Sequence, residues 1–385
     1  MILFTIKIIT VKILFLFTYG TSLKNWSDSG YISREIDFFK KMNESYGVKF
    51  SLLTFGDSND LNLLSQYEYL EVIPIYKYLN KKKNKFLNFF YILLNLKKIL
   101  INLNLNFDLI KTNQLFGSWI AIYLKIFFKK PLILRTGYDL FLFSIKDRKN
   151  IFKIIAYYFL TLISLNISDL YTVTSQSDMK FISKFYVFKK NKLVLRRNWV
   201  NNISENKNIN NILIEQDNCL SVGRLEIQKD FEYLIRSFNS SSFNLDIVGE
   251  GSLLPNLKNI SNENINFLGN IEFSHLEDLY SEYIFFVSAT NYEGNPKSIL
   301  EAMSKGCIVI APDIPNISEI IKDKSNGILY DKKLDDVHSI ICNLKKDTDK
   351  LMEISKNAIS YVKTNNSLDL FTKEEFGDYE LVIAN

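Results

Sequence analysis

Two glutamates, Glu293 and Glu301, stand eight positions apart in the stretch Ile284–Ile310, IFFVSATNYEGNPKSILEAMSKGCIVI. A carboxylate at such a place accepts two hydroxyl hydrogen bonds, as from the diol of a ribose or another sugar. Between the two lie Gly294, Asn295, Lys297 and Ser298, at what reads as the start of a helix. The backbone N–H groups there have no intrahelical partner and suit a phosphate, although Pro296 supplies none. Two cations upstream, Arg224 and Lys229 in CLSVGRLEIQKDFEYLIRSF, flank a strand-to-helix loop and could converge on a diphosphate, offsetting its charge without a metal ion. Taken singly, each residue has a plainer reading: a helix-start glutamate, a solvent-facing glutamate, a loop arginine, a capping lysine. The combination favours a ligand site.

The elements that must hold these groups follow from local pattern. Ile284–Ala289 and Cys307–Ile310 are short apolar runs of strand type. Between them come a loop, Thr290–Gly294, and a helix with Asn295 as N-cap and Pro296 as its first residue. Gly306 stands where a left-handed cap is wanted. A strand–loop–helix–strand unit implies a parallel sheet, and ligands of such sheets bind at the carboxyl edge of the strands. LDIVGEGSLLPNL repeats the strand–turn–helix pattern with Gly249-Glu250-Gly251; lacking a third glycine, it is a structural turn and not a dinucleotide fingerprint.

EGNPKSILEAMSKG, followed by NGILYD, resembles the signature of family 4 glycosyltransferases, retaining enzymes of the GT-B fold. The resemblance covers most of the chain, firmly over residues 220–331 and loosely before Val200. It implies an α/β fold of two doubly wound, Rossmann-like domains facing each other across a cleft. It further implies that Glu301 holds the ribose of a nucleotide-sugar donor, while Glu293 and neighbouring amides hold the sugar being moved. Arg224 and Lys229 would then stabilise the departing nucleotide. No side-chain nucleophile is apparent, so the implied mechanism is same-face attack assisted by the leaving diphosphate. The nucleotide-sugar is a substrate; no cofactor and no metal are expected.

In the first half, TYGTSLKNWSDSG is a loop after the strand KILFLF, and YISREIDFFKKM has helical spacing. Gly30 closes that loop and would let backbone approach a ligand, or be a plain turn glycine; the resemblance puts it near the donor. RTGYDL is similar to the family's His-Gly-x-Asp loop but carries Thr136 where the histidine stands, with Arg135 beside it and Asp139 in the matching acid position. Arg135 could fork two bonds to an acceptor phosphate or carboxylate, or make an ion pair. Arg135, Thr136 and Asp139 are therefore the acceptor-side candidates.

With 385 residues, 47% hydrophobic and 23% charged, the chain has the composition of a two-domain globular protein. Cys219, Cys307 and Cys342 are widely spaced and His275 and His338 far from most of them, so neither a disulfide framework nor zinc spacing emerges, in keeping with a reducing cytoplasm. Residues 1–200 carry 30 Lys and Arg against 13 acids, and the rest carry 17 against 29. That asymmetry supports an acceptor-binding domain over 1–200, a donor-binding domain over 201–365 and a terminal helix, 366–385, packing back on the first domain. Residues 1–10 read as an extension ahead of the first strand, without a cleavage site.

A basic half meets something anionic. Nucleic acid lacks a recognition motif here, so anionic lipid or a phosphorylated acceptor is expected. Lys81, Lys82, Lys83 and Lys85 precede FLNFFYILLNLKKIL, either a core-facing helix with a solvated end or a helix lying at a membrane surface with Phe86, Phe89, Phe90 and Tyr91 inserted. No stretch is long enough to span a bilayer. The resulting reading is a cytoplasmic enzyme, peripheral on the membrane, moving a sugar to a glycan or lipid-linked acceptor in surface polysaccharide assembly. Rivals are a nucleotide-sugar epimerase of the same fold, which would want more histidines, and a non-catalytic nucleotide-sugar-binding subunit, motivated by Thr136.

Overall fold

A computed structural model describes residues 10–30, 32–203 and 217–384. Most of the expected amino-terminal extension thus lies outside the described residues. The chain divides into two compact units: the first comprises residues up to Val173, Asp178–Arg196 and Thr372 onward; the second comprises Thr174–Ser177 and Arg197–Phe371.

The first unit is built on a seven-stranded parallel sheet, β1 (Lys12–Leu16), β2 (Lys49–Thr54), β3 (Leu70–Pro74), β4 (Leu109–Thr112), β5 (Leu132–Thr136), β6 (Leu170–Val173) and β7 (Leu193–Leu195), in the order β3-β2-β1-β4-β5-β6-β7. Its connections are α1 (Leu23–Asp28), α2 (Ile32–Tyr46), α3 (Asp60–Leu63), α4 (Ile75–Tyr78), α5 (Lys85–Asn102), α6 (Ser118–Phe128), α7 (Leu140–Lys146), α8 (Ile151–Ile167) and α9 (Gln176–Phe185). The strand order reverses beyond β3, and right-handed crossovers then put α5, α6 and α8 on the face opposite α2. Buried Ile92, Leu96, Leu124 and Leu165 from those three helices share one core with Leu14, Leu53 and Leu134 of the sheet. Full burial of each such side chain contributes roughly 1.5–3 kcal/mol. The loop expected after β1 contains a helix of its own, α1, because Ser22 and Asn25 form a reciprocal capping box that starts it.

The second unit has a six-stranded parallel sheet, β8 (Asn218–Val222), β9 (Asn244–Val248), β10 (Ile265–Gly269), β11 (Phe285–Val287), β12 (Ile308–Pro312) and β13 (Ile328–Tyr330), in the order β10-β9-β8-β11-β12-β13. Its helices are α10 (Phe231–Asn239), α11 (Leu254–Asn259), α12 (Phe273–Tyr280), α13 (Lys297–Ser304), α14 (Pro315–Ser318), α15 (Val337–Leu344) and α16 (Thr348–Asn365). The parallel pairing of β11 with β12 around α13 is the unit that the apolar runs and Gly306 require. Gly306 has φ +81°, and the amides of Gly306 and Cys307 close back on Met303 and Ala302, a Schellman end to α13.

The terminal helix α17 (Leu368–Ala384) supplies residues from Thr372 onward to the first unit. It explains why a lysine can sit inside a parallel strand. Lys111 of β4 is 2% exposed and ion-paired with Glu375, itself fully buried, while the Tyr379 hydroxyl lies 3.2 Å from the ammonium. Arg196 grips Asp378 through two hydrogen bonds of 2.7 Å. Burial works against charge on Glu375, but Lys111, Arg135 and Arg196 outweigh it and hold its carboxyl below the ordinary value. Removing one member of such a buried pair strands the other. Glu375→Ala is therefore expected to cost about 3–5 kcal/mol, while Lys111→Met combined with Glu375→Leu costs much less, as read by urea unfolding.

Candidate active site

The site residues of the second unit all stand beyond the carboxyl ends of its strands. After β8 the chain runs Gly223-Arg224-Leu225, and after β9 it runs Gly249-Glu250-Gly251. The Leu225 amide donates to the Glu250 carbonyl at 2.9 Å and the Gly223 amide to Val248 at 3.0 Å. Gly249 has φ +135°, and a Cβ there would stand 2.0 Å from the Gly223 carbonyl oxygen; one on Gly251 would stand 2.3 Å from that of Leu225. Both glycines are thus required by loop-on-loop contact. Glu226 adds bonds to the Ser252 amide and hydroxyl at 2.9 and 2.8 Å.

That platform presents two cations. Arg224 is exposed beside it. The stem of Lys229 lies on Gly223, and its ammonium is ion-paired with Glu293, whose side chain is 9% exposed. A short 3-10 turn, Ile227–Lys229, aims the lysine. The opposite loop is clipped to this turn: the Asn291 amide donates to the Gln228 carbonyl at 2.8 Å, and the Gln228 side-chain amide donates to the Tyr292 carbonyl at 2.8 Å. Lys229 and Glu293, called separately from two motifs, are therefore one pair at one sheet edge.

The next residues depart from expectation in one respect. Asn295 does not cap α13; Pro296 occupies the N-cap position without a side-chain cap bond. Asn295 is used elsewhere: its side-chain oxygen accepts from the Asn198 amide at 3.1 Å, and its carbonyl accepts from the Asn198 side chain at 2.7 Å. The Gly294 carbonyl accepts from Asn316 at 2.7 Å. Two asparagines thus hold the carbonyls of Gly294 and Asn295 just ahead of the helix start at Lys297 and Ser298. Glu301, one turn on and 7% exposed, accepts a 3.1 Å hydrogen bond from Tyr280, which fixes one carboxylate oxygen. Sequence reasoning assigned no role to Asn198, Asn316, Gln228 and Tyr280, whose only signal is proximity in the fold.

In the first unit, Gly30 has φ +72° and follows α1 and its C-cap Ser29, so it closes a helix rather than an open loop. The Arg135–Asp139 loop is knit internally. Thr136, 1% exposed, donates to the Tyr138 carbonyl, and the Gly137 amide donates to Gln114 at 3.1 Å. Asp139 is fully buried, caps α7 through the Leu142 amide at 2.7 Å and receives Tyr186 at 3.3 Å. Arg135 lies in the field of Glu375 and Glu35. Thr136 and Asp139 are thus engaged in supporting this loop and the start of α7, while Arg135 stands in the field of the terminal helix's Glu375.

Burial pushes the Asp139 carboxyl up to about 6. A carboxyl raised in the folded state makes the protein gain stability as pH falls through that value toward the unfolded value near 3.8. Asp139→Asn keeps a capping oxygen and removes the buried charge. The variant is expected to be more stable than the parent at pH 7.5, by up to about 3 kcal/mol, with the gap closing below pH 6, in denaturant titrations at several pH values.

A family model, Glycosyl transferases group 1, matches residues 202–361. Over 331 residues the chain is 25% identical to an uncharacterised glycosyltransferase of Methanocaldococcus jannaschii, covering 80% of this chain and 82% of that protein. It is 30% identical over 174 residues to another from the same organism, covering 43% of this chain and only 45% of that protein. A Campylobacter jejuni N-acetylgalactosamine-N,N'-diacetylbacillosaminyl-diphospho-undecaprenol 4-alpha-N-acetylgalactosaminyltransferase is 25% identical over 284 residues, 71% of this chain and 76% of the relative. Among solved structures, Anabaena HepE in complex with UDP and glucose has a TM-score of 0.72 at 15% identity, covering 96% and 99% of the two chains. Sucrose-phosphate synthase from Thermosynechococcus elongatus has a TM-score of 0.79 at 16% identity, covering 97% and 99%. Two parallel α/β units, the family match over the second of them and relatives along most of the chain lead to one conclusion: the protein is a glycosyltransferase of the GT-B fold.

Proposed function

We propose that the protein is a retaining glycosyltransferase of family 4 type that moves a sugar from a nucleotide-sugar to a glycan or lipid-linked acceptor in surface polysaccharide assembly. The observation that carries the reading is the Lys229–Glu293 pair beside Arg224, at the edge where a diphosphate would arrive. Lys229 and Arg224 then neutralise the diphosphate, Glu301 takes the ribose hydroxyls, and Glu293 with the amides beyond Gly294 holds the sugar. In the reaction the bond from the anomeric carbon to the diphosphate oxygen breaks. The acceptor oxygen bonds to the same face of that carbon, and its proton passes to the departing diphosphate. A structural neighbour that binds UDP makes uridine diphosphate sugars the first donors to try. The Campylobacter relative's name, with its diphospho-undecaprenol, supports a lipid-linked acceptor, and the basic first half supports an anionic membrane surface as a partner.

The test is turnover with a panel of nucleotide-sugars and lipid extract, followed by nucleotide release. Lys229→Ala and Arg224→Ala should each lower kcat by about a hundredfold or more, the scale of one preorganised charge-stabilising group. Glu301→Gln should instead act mainly through the donor KM, because an amide is a weaker acceptor for hydroxyls. Unchanged kcat in both cation variants would remove the diphosphate assignment, and an unchanged donor KM in Glu301→Gln would remove the ribose role.

A further inference from the structure

Helix α8 is apolar on its outward face as well as on the face that packs against the core through Leu165, Tyr158 and Leu162. Its buried side chains include Thr161 and Ser164, the latter 3.0 Å from Ser118 of α6, while Ile151, Phe152, Ile155, Phe159 and Ile163 face solvent. At 100° per residue those five fall on one arc of about 120° running most of the helix. A surface helix in water keeps its outward face polar. Phe152 is 78% exposed.

The stripe does not stand alone. On the same side of the sheet, α6 packs against both α5 and α8. There α5 exposes Phe86, Leu87, Phe90 and Leu94, and α6 exposes Ile126 and Phe127. Phe89 and Tyr91, expected on the outward face, are instead partly buried, Phe89 against Trp119 and Tyr91 against the core. Single exposed apolar residues need no explanation, but three adjacent helices turning apolar faces outward do.

We propose that this face of α5, α6 and α8 docks on an anionic lipid bilayer, with α8 as the principal inserting helix. The inference rests on the reading that the basic half meets anionic lipid, and adds the surface that does so. Charge selects the occupant. Lys81, Lys82, Lys83 and Lys85 are exposed just before or at the start of α5, and Lys146, Arg148, Lys149 and Lys153 are exposed around the start of α8, with Asp147 the one acid in that segment. A second copy would bring like charges together, whereas phosphate headgroups complement them. Length sets the mode. Seventeen residues make α8 about 25 Å long, short of the ~30 Å hydrocarbon layer, and no described helix is long and apolar enough to cross a membrane. The helix therefore lies in the interface plane with its aromatic and branched side chains inserted.

The full chain is sedimented with phosphatidylcholine vesicles, with and without phosphatidylglycerol, at rising salt, and its self-association is followed by sedimentation velocity. Binding should require the anionic lipid, weaken with salt, and fall about tenfold or more in Phe152→Ser with Phe159→Ser. Those side chains are exposed, so the fold tolerates the change. The tryptophan introduced by Phe152→Trp should shift its emission to the blue on anionic vesicles. Binding to no vesicle overturns the proposal together with the anionic-lipid reading. Anionic binding that survives the serine changes, with no emission shift, overturns this placement alone. A concentration-dependent dimer broken by the same changes makes a second copy the occupant and overturns it too.

Discussion

A Cβ on Gly249 would stand 2.0 Å from the Gly223 carbonyl oxygen, so the loops after β8 and β9 can meet only where one of them carries no side chain. The rest of the site depends on that approach. With the loops in contact, the β8 loop has a backbone floor, the stem of Lys229 lies along Gly223, and its ammonium reaches Glu293 from the loop after β11. In sequence the glycine pair reads as a structural turn, with no third glycine to make a dinucleotide fingerprint. Its physical role is to allow one turn to support another, and the charged groups are placed by consequence.

The same logic of support operates one layer out. The carbonyls of Gly294 and Asn295 are held by Asn316 and Asn198, and one oxygen of Glu301 by Tyr280. None of these partners reacts, yet each removes a rotation that would otherwise blur the positions of the amides and carboxylates. Preorganised dipoles act at little cost at the moment of reaction, so under the proposed function this rigidity serves the chemistry.

What was legible in the sequence was the part written locally. Apolar runs of four to six residues, a proline near a helix start and Gly306 at its end were enough to place β11, α13 and β12, and to expect parallel pairing. Lys229 and Glu293 could be named but not joined, because 64 residues separate them and only the sheet order brings their loops together. The cap of α13 was misassigned because Asn295 satisfies capping chemistry in the abstract but is claimed by Asn198 in three dimensions. The surroundings of Arg135, Thr136 and Asp139 were illegible for a related reason. Polar residues in a loop read as open to ligand, while burial of Asp139 and the return of Glu375 from the chain's far end cannot be seen in a local window. The outward apolar stripe of α8 was hidden likewise, since an uncharged run does not show which side faces the sheet.

The central claim is that the carboxyl edge of the second unit binds a nucleotide diphosphate through Arg224 and Lys229. Calorimetric titration of the full chain with UDP in the presence of EDTA tests it without donor sugar, acceptor or membrane. The account predicts saturable one-site binding that weakens with salt and falls by about tenfold or more in Lys229→Ala, the scale of one lost charge-assisted hydrogen bond. Binding of equal strength in the parent and in both cation variants would contradict it.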